Sequence, residues 1–241
     1  MLLVLLLLTS LTEIESALSM VKVTYWAGRG RAEPLRCILA AAGIRFENNF
    51  LQNRAELLEL IASKKLAYEQ VPLVEIDGLD LVQQQPTAVY IGQKGNLWPD
   101  TLKDQYAAGA VYAAAQDARG AIIMLPFSGN KEKVVADTDA PNGLFGRYVP
   151  KWEALLESKK FFLGDKASIA DVAVFEVLDA YHQAFGEAQL QEKLKAFPRV
   201  LGLHEAVLGL GYVREWRDEL RPKLFLEPSA YAQVVMATLT P

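Results

Sequence analysis

The chain has 241 residues, 51% of them hydrophobic, and this length suits either one large domain or two smaller ones with buried cores. The composition excludes a disordered or fibrous protein. A net charge of −4 provides no global basic field, so we expect neither nucleic-acid binding nor integral membrane association.

We expect residues 1–19 to be a leader or an extension outside the fold. Residues 2–8 are all apolar, but the block is too short for a transmembrane helix and has no basic residue before it. Met20, just before the first strand, also fits an alternative start. We predict a cytoplasmic protein, with secretion as the alternative if this segment acts as a signal peptide.

Cysteine and histidine give no support to a metal site or a disulfide. Cys37 is the single cysteine and lies in an apolar run, where a thiol behaves as a small hydrophobe. His182 and His204 do not form a metal-ligand spacing motif. We therefore expect no metal and no thiol–disulfide chemistry, since Tyr25 and Trp26 stand where a Cys-x-x-Cys motif would.

The first part of the chain alternates strands and helices. Val21–Tyr25 has the alternation of a short strand, and glycines 28 and 30 then break the pattern. A helix is predicted from Glu33 and Pro34 to Gly43. The next predicted elements are an extended run over residues 46–51, a helix over 55–61, strands over 71–76 and 79–82 joined by Asp77-Gly78, and a helix over 87–94. This βαβαββα order predicts an α/β domain over residues 20–97.

Residues 98–241 are predicted to form an all-helical domain. Helical spacing extends over residues 102–124, 144–156 and 169–185, and strand signals become scarce. Ser168 and Asp171 stand before an apolar run and have the form of a capping box. We assign them a structural role at the start of the third helix.

Tyr25 is the first candidate for chemistry. It ends the first strand, on the side of an α/β sheet where ligands bind. A packed aromatic residue is the alternative. Arg29 and Arg31 follow in a glycine-rich loop, which is either an ordinary solvated loop or a basic edge for an anionic ligand.

Two later segments add to this pattern. Val71 precedes Pro72, and a cis bond there would turn the Val71 backbone groups toward an extended peptide ligand. Gln83 ends the following strand, so that its amide and the first amides of the next helix can meet a carboxylate.

These segments resemble the amino-terminal signature of cytosolic glutathione transferases of the tyrosine-type classes, alpha, mu, pi and sigma. The runs that carry the resemblance are TYWAGRGRAEPLR (24–36), LAAAGIRFE (39–47), QVPLVEIDG (70–78) and LVQ (81–83). The similarity covers residues 21 to about 220, and the combination is specific. It implies a thioredoxin-like domain followed by a helical domain, glutathione as co-substrate, a homodimer and a role in detoxification.

The resemblance also implies roles for individual residues. Tyr25 matches the tyrosine that hydrogen-bonds the glutathione sulfur, and Arg31 an arginine that supports it. The other glutathione contacts implied are Gln70, Val71 and Pro72 at the cysteinyl backbone, Gln83 at the γ-glutamyl group, Lys64 or Lys65 at the glycyl carboxylate, and Asp117 and Arg147 near the partner subunit's glutathione. A solvated helix charge is the alternative for Asp117 and Arg147. Gln84 departs from the family, which has Ser or Thr there, so we expect a reshaped γ-glutamyl pocket.

The implied reaction is conjugation of the glutathione thiolate to a small hydrophobic electrophile. A free thiol has a pKa near 8.5, so a hydroxyl that donates to the sulfur favours the reactive anion. The predicted electrophile site comprises Trp26, Ala27, Ile123, Met124, Phe127 and the carboxyl tail, with simple core packing as the alternative. The other functions left open are a glutathione-dependent isomerase of the prostaglandin synthase kind and a non-catalytic, crystallin-like binding protein.

Overall fold

The computed structural model describes residues 20–240, so the predicted leader lies outside the described residues. A four-stranded mixed sheet forms first, with strand order β2-β1-β3-β4. β1 runs parallel to β2 and antiparallel to β3, which in turn pairs antiparallel with β4. The strands are β1 (Val21–Tyr25), β2 (Phe46–Phe50), β3 (Leu73–Ile76) and β4 (Leu79–Val82).

Three helices complete this α/β layer: α1 (Glu33–Ala41), α2 (Arg54–Ala62) and α3 (Gln84–Lys94). The predicted βαβαββα order is thereby confirmed. The hairpin turn at Asp77 and Gly78 has φ angles of 53° and 75°, the conformation that such two-residue turns require. The bond between Val71 and Pro72 is cis, as anticipated. α3 begins three residues before the predicted start, because Pro86 is tolerated in a first helical turn.

From Leu102 to Leu239 the named elements are helical, which confirms an all-helical second part. The long helices here are α4 (Leu102–Ala118), α7 (Lys131–Asp139), α8 (Val149–Leu156), α9 (Ile169–Phe185), α10 (Glu187–Leu194), α11 (Pro198–Leu208) and α14 (Pro228–Leu239). The short ones are α5 (Gly120–Ile123), α6 (Leu125–Ser128), α12 (Val213–Glu215) and α13 (Arg221–Leu224), with π-helical turns at Leu144–Tyr148 and Trp216–Leu220.

The single helix predicted over residues 102–124 is wrong in its extent. α4 ends at Ala118, and the chain continues as α5 and α6 with breaks at Arg119 and Met124. Gly120 favours a break, and Pro126 removes a backbone donor that a longer helix would need. The helix predicted over 144–156 likewise begins as a π-helical turn, and α-helical geometry starts at Val149.

α9 is the central helix of the molecule and packs against both α4 and α1. Its start is the predicted capping box: the amide of Ala170 donates to Ser168 Oγ at 3.3 Å, and the amide of Ser168 donates to Asp171 Oδ2 at 2.7 Å. Burial raises the pKa of the Asp171 carboxyl to about 6, although hydrogen bonds from Phe162, from Ser168 and from its own backbone amide act in the opposite direction. α9 is buried from Ile169 to Tyr181, so its register fixes which side chains face the loop after β1.

Candidate functional site

A buried charge cluster lies between the loop after β1, α1 and α9. We define it by Arg29, Glu33, Arg36, Arg119, Glu176, Asp179 and Arg221. Its contacts are Arg29 to Asp179 (2.7 Å) and Glu176 (2.9 Å), Arg119 to Glu176 (2.9 Å), Arg221 to Asp179 (2.6 Å) and Glu33 (3.0 Å), and Arg36 to Glu33 (3.4 Å). Each carboxylate is shared by two guanidinium groups, which is how buried charge is tolerated.

The pKa values of the side chains in this cluster follow from this pairing. Burial alone would raise the pKa of Asp179, but Arg221 and Arg29 hold it well below its usual range. Burial alone would lower the pKa of Arg29, yet Asp179 and Glu176 raise it. Burial and the nearby Glu33 raise the pKa of the Cys37 thiol well above its usual value, so Cys37 is no reactive thiolate.

Tyr25 ends β1, just before the loop that carries Arg29 of this cluster. Its hydroxyl accepts a hydrogen bond of 3.1 Å from the backbone amide of Arg31. Its ring packs edge-on against Trp26, with 4.8 Å between centroids. The Arg31 side chain is exposed, so this residue meets the tyrosine through its backbone.

Gly30 leaves room for the hydroxyl of Tyr25. Its φ angle is +39°, and a Cβ there would lie 2.5 Å from the Tyr25 hydroxyl oxygen and 2.6 Å from that of Tyr231. A glycine is required on both counts, since other residues rarely adopt this backbone conformation.

Tyr231 of α14 lies in the carboxyl tail that the sequence analysis included, but it was not named there as a residue beside Tyr25. Its ring lies where a side chain on Gly28 would stand, and its hydroxyl lies close to that of Tyr25. Burial, followed by the proximity of Tyr25, raises the pKa of Tyr231 far above its usual value. The available sequence signal was the pair of glycines, which indicates that another group approaches the backbone closely.

A cavity of about 530 Å³ opens beside Tyr231 and Gly30, and Tyr25 itself does not line it. It is lined by the loop of residues 28–30, by Arg119, by α5 and the start of α6, by the end of α9 and by residues 225–229 and 231. Ile123, one of the predicted electrophile residues, lines it.

Residues 225–229 and 231 of the predicted carboxyl tail also line this cavity, whereas the other electrophile candidates named individually do not. Trp26 and Ala27 are buried, Met124 is 54% exposed, and Phe127 meets the ring of Tyr231 at 5.9 Å. Phe127 therefore borders the site through Tyr231.

The residues predicted for a peptide ligand gather at a second edge of the sheet. Gln83 Nε2 donates to Gln70 Oε1 at 3.4 Å, and both side chains are exposed. Val71 precedes β3 and does not pair in it. Gln83 has a φ of +67°, a strained conformation of the kind that concentrates at functional sites.

Gln84 is engaged with the protein itself. Its Nε2 donates to the carbonyl of Arg31 at 2.7 Å, which links the start of α3 to the loop after β1. The departure from Ser or Thr at this position thus has a structural use.

The charged residues predicted to contact glutathione are two lysines, at 64 and 65, and the pair formed by Asp117 and Arg147. Lys65 is ion-paired with Glu75, and the neighbouring Lys64 is exposed. Asp117 and Arg147 are also exposed. Asp117 lines a separate cavity of about 200 Å³ and not the larger one.

Within residues 20–240 no group of three or more His, Cys, Asp or Glu side chains is placed to hold a metal ion. In the same part of the chain, no helix combines the length and apolarity needed to cross a membrane.

Two family models match the chain. The model of the glutathione S-transferase N-terminal domain matches residues 21–92, and that of the glutathione S-transferase C-terminal domain matches residues 116–219. The chain is 38% identical over 160 residues to glutathione S-transferase alpha-5 of Rattus norvegicus, covering 66% of this chain and 72% of the relative. It is 32% identical over 204 residues to glutathione S-transferase A3 of Homo sapiens, covering 84% and 90%.

Solved structures agree with the fold. The glutathione S-transferase from Ascaris lumbricoides superposes with a TM-score of 0.67 at 22% identity, over 87% of this chain and 99% of the other. NaGST-2 gives a TM-score of 0.68 at 22% identity, over 83% and 96%. The sheet with its helices, the helical second part and the two matching models define a glutathione transferase fold, which confirms the predicted fold class. The chain belongs to the glutathione S-transferase family.

The tight fit around Gly30 gives a first prediction. Gly30→Ala is expected to lower the free energy of unfolding by about 2 kcal/mol or more, since strain at positive φ adds to a clash with two buried tyrosines. Gly43→Ala is the matched control, because Gly43 has a φ of +71° but nothing within 4 Å of the new Cβ. Its loss is expected near 1 kcal/mol by urea unfolding. Equal losses in the two variants would show that the space beside Tyr25 is not constrained.

Proposed function

We propose that the protein conjugates glutathione to small hydrophobic electrophiles and that the Tyr25 hydroxyl stabilises the glutathione thiolate. The observation that carries the proposal is the Tyr25 hydroxyl, held by the amide of Arg31 and close to Gly30, which lines a cavity of about 530 Å³. With its oxygen accepting from that amide, the hydroxyl keeps its own proton available as a donor.

The chemistry requires a thiolate, because the anion is the nucleophile and a free thiol is only a few per cent ionised at neutral pH. A preorganised donor aimed at the sulfur favours the anion without removing the proton permanently. Tyr25 is suited to this task because it is buried and held from two sides, by Arg31 and Trp26.

The electrophile is assigned to the cavity beside Gly30. The apolar side chains of Ile122, Ile123 and Leu125 line it, as do residues 225–229 and 231. An apolar wall next to a positioned nucleophile favours hydrophobic substrates over charged ones.

Glutathione is assigned to the edge formed by Gln70, Val71 and Gln83, with Pro72 keeping the segment in place. An extended tripeptide can pair with the Val71 backbone while its γ-glutamyl carboxylate faces the first amides of α3. Lys64 is the better candidate for the glycyl carboxylate, since the Lys65 ammonium group is already paired with Glu75.

A glutathione-dependent isomerase is the competing function. The prostaglandin synthase D of Nilaparvata lugens and a rat hPGDS complexed with a quinoline share the fold at 20% and 22% identity, with TM-scores of 0.65 and 0.64. At that identity the likeness concerns the fold alone, so it does not favour isomerisation.

We also infer that the protein is cytoplasmic. Cell fractionation tests this inference, and recovery of the protein in the culture medium would contradict it.

The role of Tyr25 gives a second prediction. Tyr25→Phe is expected to lower kcat/KM about 10- to 1,000-fold in a chloro-dinitrobenzene assay at neutral pH, because one preorganised donor is lost. The pKa of the bound glutathione thiol should rise toward the free value near 8.5, so that activity recovers as the pH is raised.

Tyr90→Phe is the matched control for this test. It also removes one hydroxyl, whose hydrogen bond of 2.9 Å goes to Asp77 on the far turn, and it should leave turnover unchanged. Unaltered turnover and thiol titration in Tyr25→Phe would refute the proposed role of the hydroxyl. Glutathione binding without any conjugation in the wild type would favour a binding protein instead.

A third prediction concerns Gln84. Gln84→Ala removes the hydrogen bond that ties α3 to the carbonyl of Arg31, so the KM for glutathione should rise about 3- to 10-fold while kcat changes little. Gln93→Ala, at an exposed position of the same helix, should not change KM. If Gln84→Ala leaves KM unaltered, the bridge does not shape the glutathione site.

We further propose that the protein is a homodimer in which Asp117 and Arg147 act on the partner subunit's glutathione. Both side chains are exposed and neither lines the cavity beside Gly30 and Tyr231 of their own chain. Three large side chains, Tyr68, Leu102 and Tyr106, are 65%, 84% and 80% exposed and would be covered by association.

The dimer gives a fourth prediction. Light scattering is expected to give twice the 26.7 kDa mass of one chain. Asp117→Ala should raise the KM for glutathione several-fold without changing this mass, since one charged contact is lost across the interface. Asp100→Ala removes an exposed carboxylate just before the same helix and serves as control. A monomeric mass would refute the assignment of Asp117 and Arg147.

A further inference from the structure

A chain of hydrogen bonds runs from Arg119 through one peptide group to Tyr25. Arg119 Nη2 donates to the carbonyl oxygen of Gly30 at 3.0 Å, and the amide of Arg31 donates to the Tyr25 hydroxyl at 3.1 Å. This carbonyl and this amide belong to the same peptide group and point in opposite directions. A guanidinium ion and the proposed thiolate-binding hydroxyl therefore occupy the two ends of one peptide dipole.

The burial of the Arg119 side chain is energetically unfavourable. Its side chain is 5% exposed, its Nη2 is shared between Gly30 and Glu176, and its Nε is buried without a partner within residues 20–240. A buried arginine with an unsatisfied donor is unfavourable. α4 ends at Ala118, and Arg119 turns there toward the carbonyl of Gly30. This contact therefore indicates a role for Arg119 at the loop.

The turn at Gly30 sets the direction of the peptide that Arg119 holds. Gly30 has a φ of +39°, and this turn points the Arg31 amide at Tyr25. A cation on the carbonyl oxygen fixes this orientation and withdraws charge from the peptide group. Hydrogen bonds in such a chain polarise one another, so the amide becomes a stronger donor to Tyr25, and Tyr25 a stronger donor to a sulfur anion.

We propose that Arg119 is a positioning residue for the transferase reaction, which acts through the Gly30–Arg31 peptide to strengthen the hydrogen bond from Tyr25 to the glutathione thiolate. This inference rests on the proposed function. The simpler account is that Arg119 only clamps the loop to Glu176 of α9, and the two accounts differ in what they predict for the titration of the bound thiol.

The test compares Arg119→Met with Arg221→Met. Arg221 is an equally buried cation of the same cluster, bonded to Glu33 and Asp179 and not to the Gly30–Arg31 peptide. Both variants should be less stable in urea. Arg119→Met alone should raise the pKa of the bound thiol by about half a unit to one unit, measured by thiolate absorbance of the glutathione complex, and lower kcat/KM about 3- to 10-fold below that pKa.

A double variant separates transmission through Tyr25 from a long-range effect of charge. In a Tyr25→Phe background, Arg119→Met should cause no further rise of the thiol pKa, because the hydroxyl that transmits the effect is gone. An equal further rise would overturn the proposal in favour of a direct electrostatic effect. Unchanged titration in Arg119→Met, with stability lost as in Arg221→Met, would leave Arg119 as a clamp and overturn it as well.

Two further outcomes keep the test decisive. If Arg119→Met does not fold, Arg119→Lys takes its place: the ammonium ion keeps the charge beside Glu176 but lacks the planar fork that reaches the carbonyl and the carboxylate together. Arg119→Lys should still raise the pKa of the bound thiol, and an unchanged titration profile would overturn the inference.

The failure of this inference can be distinguished from the failure of the proposed function. A wild-type bound thiol that titrates like free glutathione would refute the proposed function too, whereas a response to Tyr25→Phe alone would refute only the role of Arg119.

Discussion

The buried charge cluster is the constraint on which the rest of the structure depends. Glu33 and the arginines at 29 and 36 come from the loop after β1 and from α1, while Glu176 and Asp179 come from α9. Removing one partner from such a cluster leaves an uncompensated buried charge, which typically costs about 3–5 kcal/mol. The cluster therefore joins the sheet-containing part to the helical part more firmly than surface ion pairs could, since those contribute at most about 1 kcal/mol.

This constraint also determines where Tyr25 lies. Glu176 and Asp179 are three residues apart on one face of α9, so both can pair with Arg29 of the loop. The capping box at Ser168 fixes the start of that helix, and burial along its length prevents it from rotating. With the loop held between α9 and Arg119, the amide of Arg31 has one orientation, and it points at the Tyr25 hydroxyl.

The parts that the sequence predicted correctly are those with local signals. Strand alternation, the Asp77-Gly78 turn and the capping box act within a few residues, so the α/β order and α9 could be derived directly. Arg119 and Tyr231 could not, because their partners are 89 and about 200 residues away in the chain. A charged residue in a helical pattern is usually solvated, and Arg119 gave no sign of being buried. The helix predicted through it concealed the turn that brings it to Gly30.

The net charge of the buried cluster relates the free-energy cost of burying it to the reaction proposed at Tyr25. It contains four guanidinium groups and three carboxylates, so the paired charges leave one positive charge beneath the loop. The place of that charge matters more than its sum, because Arg221 bonds only to Glu33 and Asp179, whereas Arg119 also bonds the loop peptide. Arg119 bonds the loop peptide directly, so the excess charge meets the Tyr25 hydroxyl through a single peptide group.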